Sequence, residues 1–195
     1  MTQENQFYLS RKFIKEGDVD EACHHYYLVK KEDPNNTEAE FFSAYLGYTV
    51  LIKTNSASAV NAFKAMIACL AAAVKYVKES EGNEDEKLLV ISAMVEAYTP
   101  ITRFLFTSHI DTSSSSIEGG TIGLYDLGSA IKKEFGSNPK FMEFAIKPWK
   151  EAVSLQRKFY AYKYNGINPE DYAAEIKKVD PAYTMPDKAG CISLA

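Results

Sequence analysis

Apolar residues recur at intervals of three and four along nearly the whole chain. No run alternates apolar with polar in the manner of a half-buried strand. The pattern predicts an all-α protein of about eight helices. The first spans about Gln3–Lys15, with Leu9 and Phe13 four apart. Gly17-Asp18 ends it and opens the second, where Asp18 suits an N-cap and Glu21 its capping-box partner. The second helix reaches about Glu32 and aligns Ala22, Tyr26 and Val29 on one face. Asp33-Pro34-Asn35-Asn36 reads as a turn, because Pro34 lacks an N–H and biases Asp33 away from helix. The third helix, about Thr37–Lys53, carries Phe41, Ala44, Tyr45, Tyr48 and Ile52 as its stripe. The fourth begins after Asn55-Ser56 and has the longest stripe: Val60, Phe63, Ile67, Leu70, Val74 and Val77. A helix this apolar is expected at the centre of the core.

An acidic turn around Gly82-Asn83 leads into a fifth helix, about Glu84–Ser108. Pro100 lies inside it and predicts a kink. Residues 109–120 contain a serine run and two glycines, and read as a mobile connecting loop. The sixth helix is expected at about Ile122–Phe135. The seventh starts at Asn138-Pro139, is expected to bend or divide near Lys147 ahead of Pro148, and resumes to about Tyr164. Asn168-Pro169-Glu170 opens an eighth that ends near Val179. Short connectors between helices imply antiparallel hairpins. The expected organisation is a single helical domain over 1–179, with an extended tail over 180–195 that packs on its own body or on a neighbour.

Composition narrows the function classes. With 195 residues, 46% apolar and 25% charged, the chain is a folded, globular one. A net charge of −4 argues against general nucleic-acid binding, which needs a basic face. Cys23, Cys69 and Cys191 are odd in number and far apart, so neither a disulfide framework nor a zinc knuckle is expected. Reduced thiols and a polar start without a secretory signal fit a cytoplasmic chain. The most apolar stretch, Ala65–Val74, is shorter than the roughly 20 residues that span a bilayer, so no membrane association is expected.

The first hairpin resembles a tetratricopeptide repeat. With Pro34 as the closing proline, Leu9, Phe13, Gly17, Ala22 and Tyr26 fall on the repeat's leucine, aromatic, turn-glycine, small-crossing and second aromatic positions, and Ser10 on a small one. Gln6 departs from the repeat's tryptophan. A second, degraded hairpin can be fitted over Phe41, Ala44, Tyr48 and Ala57, so repeat-like hairpins cover 3–80 and non-repeat helices 84–179. Gly190-Cys191-Ile192 is similar to the opening of the short Cys-Phe-Ile box that follows helical regions in some bacterial proteins, and Ser193-Leu194-Ala195 departs from it. The repeat resemblance implies an α-α superhelix with a concave face lined by the first helix of each pair. On that face fall Glu4, Phe7, Tyr8, Arg11, Ile14 and Lys15. Phe7, Tyr8 and Arg11, with Phe42 from the third helix, are the candidate peptide-binding residues. The family's carboxylate clamp is not carried over, because Phe7 and Arg11 stand where it needs Lys and Asn.

No catalytic constellation or cofactor motif stands out. His24 and His25 point about 100° apart on a helix and cannot chelate one metal. His109 and Asp111 beside Ser113–Ser116 lack the positioning that a hydrolytic triad requires. Gly119-Gly120-Thr121-Ile122-Gly123 has neither the preceding strand nor the lysine of a phosphate loop, and reads as a loop that uses glycine to turn. Lys140–Lys163 carries a net +4 with Trp149, Phe159, Tyr160 and Tyr162 interleaved, a pattern that serves either an amphipathic helix or a nucleic-acid contact. The expected function is thus a non-catalytic module that binds a protein or peptide. The alternatives are an enzyme or small-ligand binder with a pocket between helices four to seven, and a nucleic-acid contact through Lys140–Lys163.

Overall fold

A computed structural model describes residues 3–107, 114–158 and 166–187. Among these residues the protein is all-α, with no strand. Its eight helices are α1 (Gln3–Glu16), α2 (Val19–Glu32), α3 (Thr37–Leu51), α4 (Ser56–Glu79), α5 (Glu84–Thr107), α6 (Ser114–Phe135), α7 (Pro139–Lys158) and α8 (Pro169–Val179). The expected helix starts rest on side-chain caps. Asp18, Asn36, Asn55 and Asn168 each accept a hydrogen bond from an amide in the first turn that follows. Asn83 caps α5 reciprocally: its side chain accepts from Glu86 N at 3.0 Å while its own N–H donates to Glu86 Oε2 at 3.1 Å.

The chain forms two compact units, residues 1–98 and 99–195. The division falls inside α5, two residues before Pro100, where the sequence pattern marks no boundary.

In the first unit α1 packs on α2, α2 on α3 and α3 on α4. Gly17 makes the first turn with φ +80°, a conformation that costs glycine nothing. Ala22, Tyr26 and Val29 are fully buried on α2, so the expected face of that helix is the one that packs. Rings fill the centre. Tyr26 stacks on Phe42 at 4.6 Å, Phe41 meets Phe42 edge-on at 5.2 Å, and Phe63 stacks on Tyr98 at 5.3 Å.

The second unit is built around Trp149. Its indole N–H donates to the Tyr125 carbonyl at 3.1 Å, and its ring meets Tyr172 edge-on. Gly128 permits that approach: a Cβ there would lie 2.4 Å from Trp149 Nε1 and 2.6 Å from the Ala145 carbonyl. Helix α6 begins at Ser114 rather than near Ile122, which corrects the loop expected over that stretch. Gly120 and Gly123 are buried within the helix and make no turn. Pro148 does not divide α7, which is continuous from Pro139 to Lys158. The described part of the tail lies against α7. Arg157 Nε donates to the Pro186 carbonyl at 2.9 Å, and Lys150 pairs with Asp180 at 2.7 Å. Cys191 and the box-like segment lie outside the described residues, as do His109 and Asp111.

Two helical stretches, Ala57–Glu79 and Glu84–Phe106, are long and apolar enough to cross a membrane by length and composition, with mean hydropathies of 1.7 and 1.3. The core helix of a soluble protein meets the same criterion. In α4 the apolar residues Phe63, Met66, Leu70, Val74 and Val77 are buried inside the unit.

Candidate functional site

The open groove of interest runs along α1 in the first unit and encloses about 900 Å³. One wall is α1 itself, with Phe7, Tyr8, Arg11, Lys12, Lys15 and Glu16. The spacing of these residues is that of a single helical face, i, i+4 and i+8 with their neighbours. The other wall is the turn between α4 and α5, with Glu81, Gly82 and Glu86. Three of the four residues expected to seat a peptide, Phe7, Tyr8 and Arg11, therefore line one groove. They differ greatly in what they can offer.

Tyr8 is the most accessible, at 67% exposure. Phe7 is half-buried and meets the rings of Tyr26 and Tyr76 edge-on, both at 6.2 Å. The Arg11 guanidinium lies over the Phe7 ring at 4.6 Å. Phe42 cannot reach a ligand. It is fully buried and stacked on Tyr26, and its assignment to the site is corrected here. The reason is helical phase: Phe41 and Phe42 both turn inward at the start of α3, where α2 and α4 cover them. Ile14, expected on the open face, is also buried.

Arg11 is the organising side chain. Its Nε and Nη2 donate to Glu38 Oε1 and Oε2 at 3.1 and 2.7 Å, a two-pronged pair. Nη2 donates also to Ser80 Oγ at 2.6 Å, and Nη1 to the Glu81 carbonyl at 2.6 Å. Glu38 is completely buried, and the Tyr26 hydroxyl donates to its Oε1 at 2.5 Å. One guanidinium thus ties α1 to the first turn of α3 and to the α4–α5 turn. Burial by itself would push the Arg11 guanidinium down, and the Glu38 carboxylate overrides it and holds it above its ordinary value. Burial, followed by the Glu38 charge, pushes the Tyr26 hydroxyl well up, so it stays protonated and keeps donating. Gly82, at φ +120°, completes the turn; a Cβ there would lie 2.9 Å from Glu86 Oε2 and 3.2 Å from Arg11 Nη1.

Several of the other sequence candidates have structural partners. His25 stacks on Phe13 at 5.3 Å, and its Nδ1 lies 2.5 Å from Gln6 Oε1. His24 points to solvent. Among the described residues no group of three His, Cys, Asp or Glu side chains is placed to hold a metal. Cys23 and Cys69 are buried free thiols, and burial pushes each up to about 12. In the basic stretch Trp149 is buried, Lys150 pairs with Asp180, and Arg157 pairs with Glu170 at 3.3 Å. Phe159, Tyr160, Tyr162 and Lys163 lie outside the described residues.

Sequence reasoning found the α1 wall and missed the opposite one. Glu81, Gly82 and Glu86 are about 70 residues away in sequence, and only the Gly82-Asn83 turn signal marks them. The chain matches no protein-family model, no curated protein and no solved structure.

Proposed function

We propose that this protein is a non-catalytic, cytoplasmic binding module of tetratricopeptide-like helical hairpins, and that it seats a peptide segment of another protein in the α1 groove. The observation that carries this reading is the exposed Tyr8 ring beside half-buried Phe7 in an open groove of about 900 Å³. Rings of this kind supply contact area at small entropic cost and anchor many recognition surfaces. The buried, free state of Cys23 and Cys69 agrees with a reducing compartment.

The test is selection from a displayed library of random peptides on the immobilised protein. Enriched peptides should bind the wild-type chain and lose about tenfold in affinity to Tyr8→Ala. The circular dichroism and melting of Tyr8→Ala should match wild type, because the ring is mostly in water. Enrichment of nothing, or of peptides indifferent to Tyr8→Ala, overturns the reading.

A further inference from the structure

The two walls of the groove come from distant segments, and one side chain spans them. Arg11 and Glu81 stand 70 residues apart in sequence, yet Nη1 of the first donates to the carbonyl of the second. Nη2 reaches Ser80 Oγ on the same turn. Helix α1 packs on α2, so its spacing from the α4–α5 turn is set through side chains that reach across: Arg11, and the Phe7 ring against Tyr76. Arg11 has little left to give a ligand. Its side chain is 13% exposed, and buried Glu38 answers its charge. The other charges of the groove are mixed, with Lys12 and Lys15 facing Glu16, Glu81 and Glu86, so neither sign dominates. What stands open is ring surface, from exposed Tyr8 and half-buried Phe7.

Resting on the peptide-binding reading above, we infer that Arg11 is the positioning residue of the groove and not one of its ligand contacts. It is a strut that fixes how far the α4–α5 turn stands from the Phe7 and Tyr8 rings. Both of its ends are rigid. The fork on Glu38 sets the plane of the guanidinium, which then presents Nη1 and Nη2 to the turn in one orientation. Ser80, the acceptor there, is itself held: its amide donates to the Tyr76 carbonyl at 2.8 Å and its Oγ to the Val77 carbonyl at 2.9 Å. Gly82 lets the turn come close, since a Cβ there would lie 3.2 Å from Arg11 Nη1. The groove therefore has its width before a ligand arrives, and binding does not bear the cost of ordering it.

The experiment reads wall spacing and affinity separately. Nitroxide labels on Lys15→Cys and Glu81→Cys, in a Cys191→Ser background, report the spacing by double electron–electron resonance on the full chain without ligand. Cys23 and Cys69 are buried and stay unlabelled. A fluorescent peptide enriched on wild type in the display selection reports affinity by anisotropy. The combined variant Arg11→Met, Glu38→Leu, Tyr26→Phe removes the strut together with the buried charge it would orphan, so the fold is kept while the tie is lost. It should show a longer or broader distance distribution and bind the peptide about tenfold more weakly. Ser80→Ala spares the Arg11–Glu38 pair and lies outside the groove lining; it should weaken binding about threefold. Melting curves check that each variant folds. A combined variant that binds as wild type does overturns the inference, because Arg11 then only stabilises the fold. Weaker binding with an unchanged distance distribution overturns it as well, because Arg11 then touches the ligand. If the combined variant does not fold, Ser80→Ala decides by the same two readings. If the selection enriches no peptide, the peptide-binding reading falls, and the ligand-free distances alone decide the strut: an unchanged distribution removes it.

Discussion

Replacing Arg11 by Met tests whether the buried Glu38 charge is held by that one guanidinium. The substitution keeps the aliphatic stem over Phe7 and removes both bonds to Glu38 and those to Ser80 and Glu81. Glu38 is then a fully buried carboxylate whose remaining donor is the Tyr26 hydroxyl. Breaking a buried pair from one side costs about 3–5 kcal/mol. A unit of this length has a total stability of roughly 5–15 kcal/mol, so the loss is a large fraction of it. In urea, with a slope of about 2 kcal/mol per molar, the midpoint should fall by about 2 M. Far-UV circular dichroism follows the transition, and Trp149 fluorescence follows the second unit separately. The sharper comparison adds Glu38→Leu and Tyr26→Phe to Arg11→Met. With both charges and the orphaned hydroxyl gone, stability should return to within about 2 kcal/mol of wild type, since an apolar replacement of a buried pair is often neutral. Arg11→Lys should fall between, as it keeps the charge and loses the fork. A cost below about 1 kcal/mol for Arg11→Met, or a triple variant as unstable as the single one, refutes the argument.

Gly128→Ala should destabilise the second unit by about 3 kcal/mol, because its methyl would meet the Ala145 carbonyl as well as the Trp149 ring; a melting curve that coincides with wild type would contradict this. Phe42→Ala should cost about 3–5 kcal/mol, whereas Tyr8→Ala should stay within about 0.5 kcal/mol, and urea midpoints separate the two. Burial holds Cys23 and Cys69 up to about 12, above the unfolded thiol. Above about pH 8.5 the unfolded chain therefore gives up these protons first, and their contribution to stability is lost as pH rises toward 12. Urea midpoints measured across that range should fall, and less steeply in Cys23→Ala/Cys69→Ala; an unchanged slope in that variant would remove the thiols from the account.

Much of the helix map follows from local chemistry that any stretch of the chain carries within itself. Asp18, Asn55 and Asn168 lie where a short acceptor must satisfy free amides. Gly17 lies where φ must turn positive, and Ala22 and Tyr26 recur at the period that faces a neighbouring helix. These signals act over a few residues, so they can be read without the fold. The groove belongs to another range. Arg11 meets Glu38 across 27 residues and Ser80 across 69, and no periodicity links those positions. Phe42 reads as a ring on a helix whether it faces a ligand or the core, and burial alone separates the two. Gly120 and Gly123 read as turn formers and lie inside α6, and the need for glycine at Gly128 shows only once Trp149 and Ala145 stand against it. Spacing along the chain determined which residues share a helical face. Which faces meet, which charges are consumed and which donors remain for a ligand were decided by tertiary packing, because those are contacts between segments that the chain order does not juxtapose.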